Sequence, residues 1–426
     1  MIEQLYSRFL QSTGVSTDTR TIQKGNVWFA LKGPNFNANK FAQQALESGA
    51  LLAVVDDPEY VVNDQCFLVE DGLTALQQLA NHHRRQFSIP FIGITGSNGK
   101  TTTKELVRDV LARKFKVLAT IGNLNNHIGV PLTLLRLTSE TEMAIIEMGA
   151  NHQREIAGLC QIAEPDFGLI TNIGKAHLEG FGGLEGVFKG KTELYDFMAS
   201  KNGRLFVNSR NSRLLEKAEK SVDEVLTYPD AGDYYSAELI ESQPDVSLRT
   251  TSGKEITAHL SGTYNFENIC AALCIGQYFG VNEDDALDAI QTYLPENNRS
   301  QVMRQGTNTI YLDAYNANPT SMSLSLQNFA AIEGKKVAVL GDMFELGDSA
   351  AEEHRAIGEL SSGLNLDLVI FCGKLMKHAH EANEKSLYFE QKADLEAYFI
   401  NNKIENSSIL IKGSRGMSLE SLLKVL

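Results

Sequence analysis

Cysteine is scarce in this chain, with five in 426 residues and no Cys-x-x-Cys pair. Cys66, Cys160, Cys270, Cys274 and Cys372 are scattered and odd in number, which excludes a disulfide framework and makes a reducing cytoplasm the expected compartment. Positive charge is also short. Lys and Arg number 39 against 53 Asp and Glu, a formal charge of −14, so broad electrostatic binding to nucleic acid or to an anionic membrane is excluded. Any anionic ligand must then be met by local cations. No run is long and apolar enough to span a bilayer, so no membrane insertion is expected. The first ten residues carry charge among their apolar ones and lead to no small-residue cleavage site, so no secretory signal is expected either. Internal repeats, heptads and low-complexity tracts are absent. What remains is a soluble globular composition, 43% hydrophobic and 22% charged, in a chain longer than one core usually serves. Two or three domains are expected.

The most informative segment is Pro90-Phe91-Ile92-Gly93-Ile94-Thr95-Gly96-Ser97-Asn98-Gly99-Lys100-Thr101-Thr102-Thr103, a buried strand running into a phosphate-binding loop. Glycines let backbone amides approach phosphate oxygens, Lys100 supplies a point charge at the β and γ phosphates, and Thr101 offers a hydroxyl to Mg²⁺. A helix beginning at Thr102 would aim its positive end at the same place. Ile94 stands where the strict pattern has glycine, so the loop is a variant. A plain glycine-rich turn accounts for Gly96 and Gly99 but not for Gly-Lys-Thr-Thr-Thr after an apolar strand.

Three regions follow along the chain. Short apolar runs between Asn26 and Asp71 flank a helical stretch ending at Ser48, a small α/β unit that a helix from about Leu73 to Phe87 closes. Ser88-Ile89-Pro90 reads as the linker. Runs at 116–119, 143–148, 167–171 and 205–208 alternate with helical patterns, which predicts a mostly parallel, doubly wound sheet with helices on both faces. Residues 233–259 read as short antiparallel strands, and 265–279 and 283–293 as helices. Past Leu294-Pro295-Glu296-Asn297-Asn298 the alternation restarts at 309–312, 336–340, 368–372 and 408–411, a Rossmann-like α/β unit. The expected domains are 1–88, 89–296 and 297–426. Gly180-Phe181-Gly182-Gly183-Leu184-Glu185-Gly186 misses the last glycine of a dinucleotide fingerprint and reads as a flexible loop.

Further chemistry is expected at strand ends. Glu147 closes the run Ala144-Ile145-Ile146, where a carboxylate would face bound phosphates and their magnesium; the alternative is a surface carboxylate or a lysine partner. His177 follows another strand within Gly174-Lys175-Ala176-His177, and by itself reads as a packing residue. Lys191 by itself reads as a solvated surface cation.

The segments Thr95 to Thr102, Gly122-Asn123-Leu124-Asn125-Asn126-His127-Ile128-Gly129 and Glu147-Met148-Gly149-Ala150-Asn151-His152 resemble the Mur ligases of peptidoglycan synthesis. Asp313-Ala314-Tyr315-Asn316-Ala317-Asn318-Pro319, Leu340 to Gly347 and Lys412-Gly413-Ser414-Arg415-Gly416-Met417 extend the resemblance over nearly the whole chain. It implies a monomeric three-domain enzyme that uses ATP and two Mg²⁺ ions to join a carboxylate to an amine through an acyl phosphate, with UDP-N-acetylmuramoyl-tripeptide and D-alanyl-D-alanine as substrates. Because few segments join the domains, the outer ones are also expected to close around ATP, with the C-terminal one completing the site.

The same resemblance implies roles residue by residue. Lys100, His177 and Lys191 would be catalytic. Thr95, Gly96, Ser97, Asn98, Gly99, Lys100, Thr101 and Thr102 would hold the phosphates, Asn268 the adenine, Arg299 the phosphate side and Asp313 the ribose. Thr101 and Glu147 would ligate one magnesium, and His177 with an N-carboxylated Lys191 would support the second. Thr19, Arg20, Lys32 and Gly33 would meet the UDP moiety, and Asn125, Asn126, Asn151, Asn316 and Asn318 the remaining substrate. His127 and Leu312 depart from the family pattern, which commonly has glutamate and aspartate there. Competing readings are a P-loop kinase or NTPase, a sister ligase adding another amino acid to a muramoyl peptide or glutamate to a folate, and a non-catalytic ATP-gated binding protein.

Overall fold

A computed structural model describes residues 1–295 and 299–426; the expected boundary between 296 and 297 lies outside the described residues. The central sheet has six strands in the order Val225–Tyr228, Arg204–Asn208, Phe167–Ile170, Phe91–Thr95, Met143–Glu147 and Val117–Ala119. Every neighbouring pair is parallel. Strand Phe91–Thr95 sits in the middle, and the chain builds first on one side of it and then on the other. That makes its carboxyl end a topological switch point, where two crossover connections diverge and leave a crevice.

Side chains alternate across the sheet with the period of two that strands impose. Ile92, Ile94, Met143 and Ile145 face one core with helices Lys100–Leu111 and Thr263–Tyr278, over which the antiparallel sheet Ala237–Glu241, Val246–Thr250 and Glu255–Ala258 also packs. Phe91, Ala144 and Ile146 face the opposite core. That second core does not stop at the central unit. It runs without a break into Leu5, Phe9, Val27, Phe29, Leu76 and Leu79 of the N-terminal unit, whose parallel sheet has the order Val15–Ser16, Val27–Phe29, Leu52–Val55 and Cys66–Leu68.

Helix Gly72–Arg84 makes the junction. Its Arg84, 7% exposed, donates to the Ala163 and Glu164 carbonyls at 2.9 and 2.7 Å and lies 3.6 Å over the Phe91 ring. Phe87, read as the end of the closing helix, and Ile89, read as part of the linker, both pack against the shared core.

The C-terminal unit has its own six-stranded sheet, in the order Gln301–Gln305, Asn308–Asp313, Ser408–Lys412, Lys336–Gly341, Leu368–Cys372 and Leu387–Phe389. Its first pair is antiparallel and the others are parallel, with a separate apolar core on each face.

The expected strands at 143–148, 167–171, 336–340 and 368–372 all form, within a residue or two. Two expectations are corrected. The helix after the phosphate loop begins at Lys100 rather than Thr102. Residues 180–186 are not a flexible loop: helix Leu178–Phe181 ends there, and Gly182 and Gly183 turn the chain into helix Leu184–Lys201.

Candidate active site

A cleft of about 900 Å³ opens at the carboxyl end of strand Phe91–Thr95. The phosphate loop forms its floor, helix Gly72–Arg84 one wall through Thr74, Gln77, Gln78 and Asn81, and the C-terminal unit the facing wall. The loop is built by its neighbours. Gly96 and Gly99 have φ of 145° and 77°, a left-handed region that disfavours other residues. A Cβ at Gly96 would lie 2.0 Å from Thr171 Oγ1, and one at Gly99 would lie 2.8 Å from Asn268 Oδ1. Asn172 accepts from the Ser97 and Asn98 amides at 2.9 and 3.1 Å, and Thr171 Oγ1 donates to the Asn98 carbonyl at 2.6 Å. Thr95 is fully buried and donates to the Met148 carbonyl.

Lys100 folds back on the loop, donating to the Gly96 and Ser97 carbonyls at 2.7 and 3.2 Å. Burial pushes its pKa down to about 8; Glu147 opposes the shift and Arg299 adds to it. Glu147, 1% exposed, accepts through Oε1 from Thr101 at 3.1 Å and Asn125 at 2.8 Å. Its amide donates to Thr120 Oγ1, and Oε2 is buried with no partner among the described residues. An unpaired carboxylate oxygen in such a place costs about 1–3 kcal/mol or more, and this one sits beside the Thr101 hydroxyl. Glu147 is therefore neither a surface carboxylate nor a lysine partner.

Lys191 overturns its reading as a surface cation. It is 1% exposed, donates to the Ala150 carbonyl at 3.0 Å and lies 5.1 Å from the centre of the Phe181 ring. Burial first, and Lys100 second, hold its pKa well below the usual lysine range. His177 is not a packing residue. It sits at φ 53° at the start of helix Leu178–Phe181 and pairs through Nδ1 with Glu345 Oε2 of the C-terminal unit. That bond draws the Glu345 carboxyl below its ordinary value.

Asn268 accepts from Thr103 and donates to Asn265, both at 3.0 Å, against the back of the loop. Arg299 lies 3.6 Å over the Tyr315 ring, with Arg415 at 4.8 Å from the same ring. Asp313 pairs with buried Lys412. Asn126 caps its own turn, accepting from Ile128 and Gly129, while Asn151 and Asn316 are exposed at the cleft. His127 lines the cleft, its carbonyl accepting from Gln77 at 3.0 Å; Leu312, 1% exposed, belongs to the C-terminal core.

The structure thus gathers Ser97 to Thr102 with Glu147, His177, Asn125, Asn126, Asn151, Asn268, Arg299, Asp313, Asn316 and Asn318 around one cavity; Thr95, Gly96 and Lys191 are not in its lining, though Lys191 bonds to Ala150, which is. Thr19, Arg20, Lys32 and Gly33 are not part of that lining. Arg20, on a short turn, is paired with Asp18 at 2.6 Å, and Lys32, in the hairpin Lys32–Gly33 and Phe36–Asn37, with Asp56 at 2.9 Å. Sequence reasoning missed Asn172, Thr120, Glu345, Tyr315 and Lys412. The last three fall inside motifs quoted for the resemblance, which was the available signal.

Residues 94–276 match the model of the Mur ligase middle domain and residues 298–415 that of the Mur ligase glutamate ligase domain. The chain is 35% identical to the UDP-N-acetylmuramoyl-tripeptide–D-alanyl-D-alanine ligase of Bacillus subtilis, over 96% of this chain and 92% of that one. The chain belongs to the Mur ligase family. Among solved Mur ligases, MurF from Acinetobacter baumannii superposes with a TM-score of 0.88 at 31% identity, covering 100% of this chain and 98% of that one. MurF from Thermotoga maritima in complex with ADP superposes at 0.86 and 27% identity, over 98% and 97% of the two chains. As in the rest of the family, the activity is that of an ATP-dependent amide ligase. Among the described residues no helix is long and apolar enough to cross a membrane.

Proposed function

We propose that this chain is the ligase that joins D-alanyl-D-alanine to UDP-N-acetylmuramoyl-tripeptide with ATP, giving the UDP-muramoyl-pentapeptide precursor of peptidoglycan, ADP and phosphate, and that it works as a monomer in the cytoplasm. The observation that carries it is the constellation of Lys100, Thr101 and Glu147 at the floor of a cleft walled by two further units. A carboxylate is a poor electrophile and must be activated. The tripeptide's terminal carboxylate oxygen bonds to the γ-phosphorus as the bond to the β-bridging oxygen breaks and ADP leaves. The D-alanyl-D-alanine amine then bonds to the acyl carbon, the bond from that carbon to the phosphate oxygen breaks and inorganic phosphate leaves, and the nitrogen loses a proton. Lys100 offsets the charge on the phosphates during the first step.

We assign Thr95 to Thr102 to the phosphates, Asn268 to the adenine side, Arg299 to the phosphate side and Asp313 to the ribose. Asp313 would reach a ribose only by sharing its carboxylate with Lys412. Asn125, Asn126, Asn151 and Asn316 are assigned to the muramoyl peptide and its acceptor, and Thr19, Arg20, Lys32 and Gly33 to the UDP end. The units 1–88, 89–296 and 297–426 carry these parts. Glu147 Oε2, buried and unpartnered next to the Thr101 hydroxyl, fits a hard cation such as Mg²⁺, which would supply charge neutralisation at the phosphates. His177 is assigned to a second ion together with Lys191. Burial disfavours the charged form of Lys191, and an uncharged amine is the form able to add CO₂, which supports N-carboxylation there. A carbamate ¹³C resonance in protein supplied with labelled bicarbonate, lost in Lys191→Ala, is expected; no resonance in the unsubstituted chain would sink that assignment.

Phosphate release from purified protein tests the function directly. Release should require ATP, Mg²⁺, D-alanyl-D-alanine and a muramoyl tripeptide together, with the lysine and the diaminopimelate tripeptides compared. Release with ATP alone would support a simple NTPase and count against the ligase.

A further inference from the structure

Two asparagine side chains meet where the phosphate loop touches the C-terminal unit. Asn318 is the N-cap of helix Pro319–Ala330: its Oδ1 accepts from the Ser321 amide at 2.9 Å, and its Nδ2 donates to Asn98 Oδ1 at 2.7 Å. A backbone N–H can only donate, so it fixes which end of the Asn318 amide is oxygen. The nitrogen end must then face Asn98, and Asn98 must answer with its oxygen. Polarity passes in this way from the start of a helix in one unit to the loop of another. Asn98 Nδ2 is turned the other way, buried with no partner among the described residues, so close to Gly174 that a Cβ there would lie 3.2 Å from it.

The backbone of Asn98 is held separately by Asn172 and Thr171 of the central unit. Its side chain, in contrast, takes its orientation from Asn318. The same first turn of the helix adds Thr320 Oγ1, which accepts from the Lys175 amide at 3.0 Å. Both ends of the Asn318 amide are engaged inside the protein, which leaves it one N–H and one oxygen lone pair.

We infer that Asn318 is a positioning residue for the phosphate loop: by fixing the amide of Asn98 it makes the docked C-terminal unit part of the nucleotide site. This rests on reading residues 95–102 as the ATP loop. Loss of the bond leaves the Asn98 amide free to rotate, and the loop then binds phosphate at the added cost of ordering it.

Serine and aspartate cap helices about as well as asparagine, but they differ at Asn98. Asn318→Ser keeps an oxygen for Ser321 and is too short to reach the loop. Asn318→Asp keeps the cap and can accept from Asn98 Nδ2 once that amide flips. Calorimetric titration of the full chain with ADP reads the loop without requiring turnover. Asn318→Ser should weaken ADP binding about five- to tenfold, the equivalent of one hydrogen bond, with the thermal unfolding midpoint unchanged. Asn318→Asp should stay near the unsubstituted value, and Asn318→Ser should add nothing in an Asn98→Ala background. Unchanged affinity in Asn318→Ser, equal losses in the two variants, or an undiminished loss without Asn98 would each overturn the inference. Failure of the unsubstituted chain to make pentapeptide, with ADP still bound, would count against the ligase reading alone.

Discussion

The two outer units join the central one by opposite means. The N-terminal unit shares an apolar core with it, from Leu5 and Leu79 through to Ile146 and Leu205, and Arg84 ties the helix to the carbonyls beneath. The C-terminal unit keeps both its cores to itself. It touches the centre through polar side chains: Asn318 with Asn98, Glu353 with Lys175, and Glu345 with His177. Leu178 packs against both the shared core and a C-terminal one, a small apolar exception. An apolar weld loses buried area as soon as it opens, whereas hydrogen bonds and exposed ion pairs exchange readily with water. The expectation that both outer units close around ATP is therefore narrowed to the C-terminal one.

If chemistry is concentrated at the polar seam, Lys100→Ala should lower pentapeptide formation by about a hundredfold or more while leaving the fold intact. Near-normal turnover would remove Lys100 from its assigned part. The weld is tested by Leu79→Ala, which deletes a fully buried side chain. It should cost about 2–5 kcal/mol in denaturant unfolding, and a loss under about 1 kcal/mol would mean that the shared core is not a single packed body.

Hydrogen exchange with and without an ATP analogue and tripeptide should change protection at 174–178, 318–330 and 345–353 and leave 76–84 and 156–163 alone. Equal changes on both sides would erase the contrast. A pH titration comes next in size. In the free protein Lys100 loses its proton above about pH 8, while bound phosphates favour the charged form. ADP affinity should thus be flat below that pH and weaken by up to about tenfold per unit above it, as binding must take up a proton. Calorimetry that finds constant affinity to about pH 10 would show that the lysine stays charged when free. Smallest of all, Glu353→Gln should cost less than about 1 kcal/mol of stability, since Lys175 on the other side of the pair is half exposed.

Local pattern was enough to find the strands, because alternation and apolar runs are written in neighbouring residues. The phosphate loop was legible for the same reason. Lys191 was not: its burial depends on helix Leu184–Lys201 lying behind Ala150, and nothing adjacent in the chain announces it. The seam was the least legible part. Asn98 and Asn318 are 220 residues apart, and each looked complete within its own motif. Gly180 to Gly186 misled in the opposite sense, since glycines that suggest a loose loop serve here as a tight joint between two helices.

Helix Gly72–Arg84 gains a further meaning from its place on the weld. Gln77 and Asn81 on its surface line the cleft, while Leu76 and Leu79 are sunk in the shared core. Their separation from Lys100 is consequently set by packing and stays the same whatever the C-terminal unit does. The cleft is built like a caliper, with one jaw fixed to the frame and one that slides, and whatever lies between them is gauged from the fixed side.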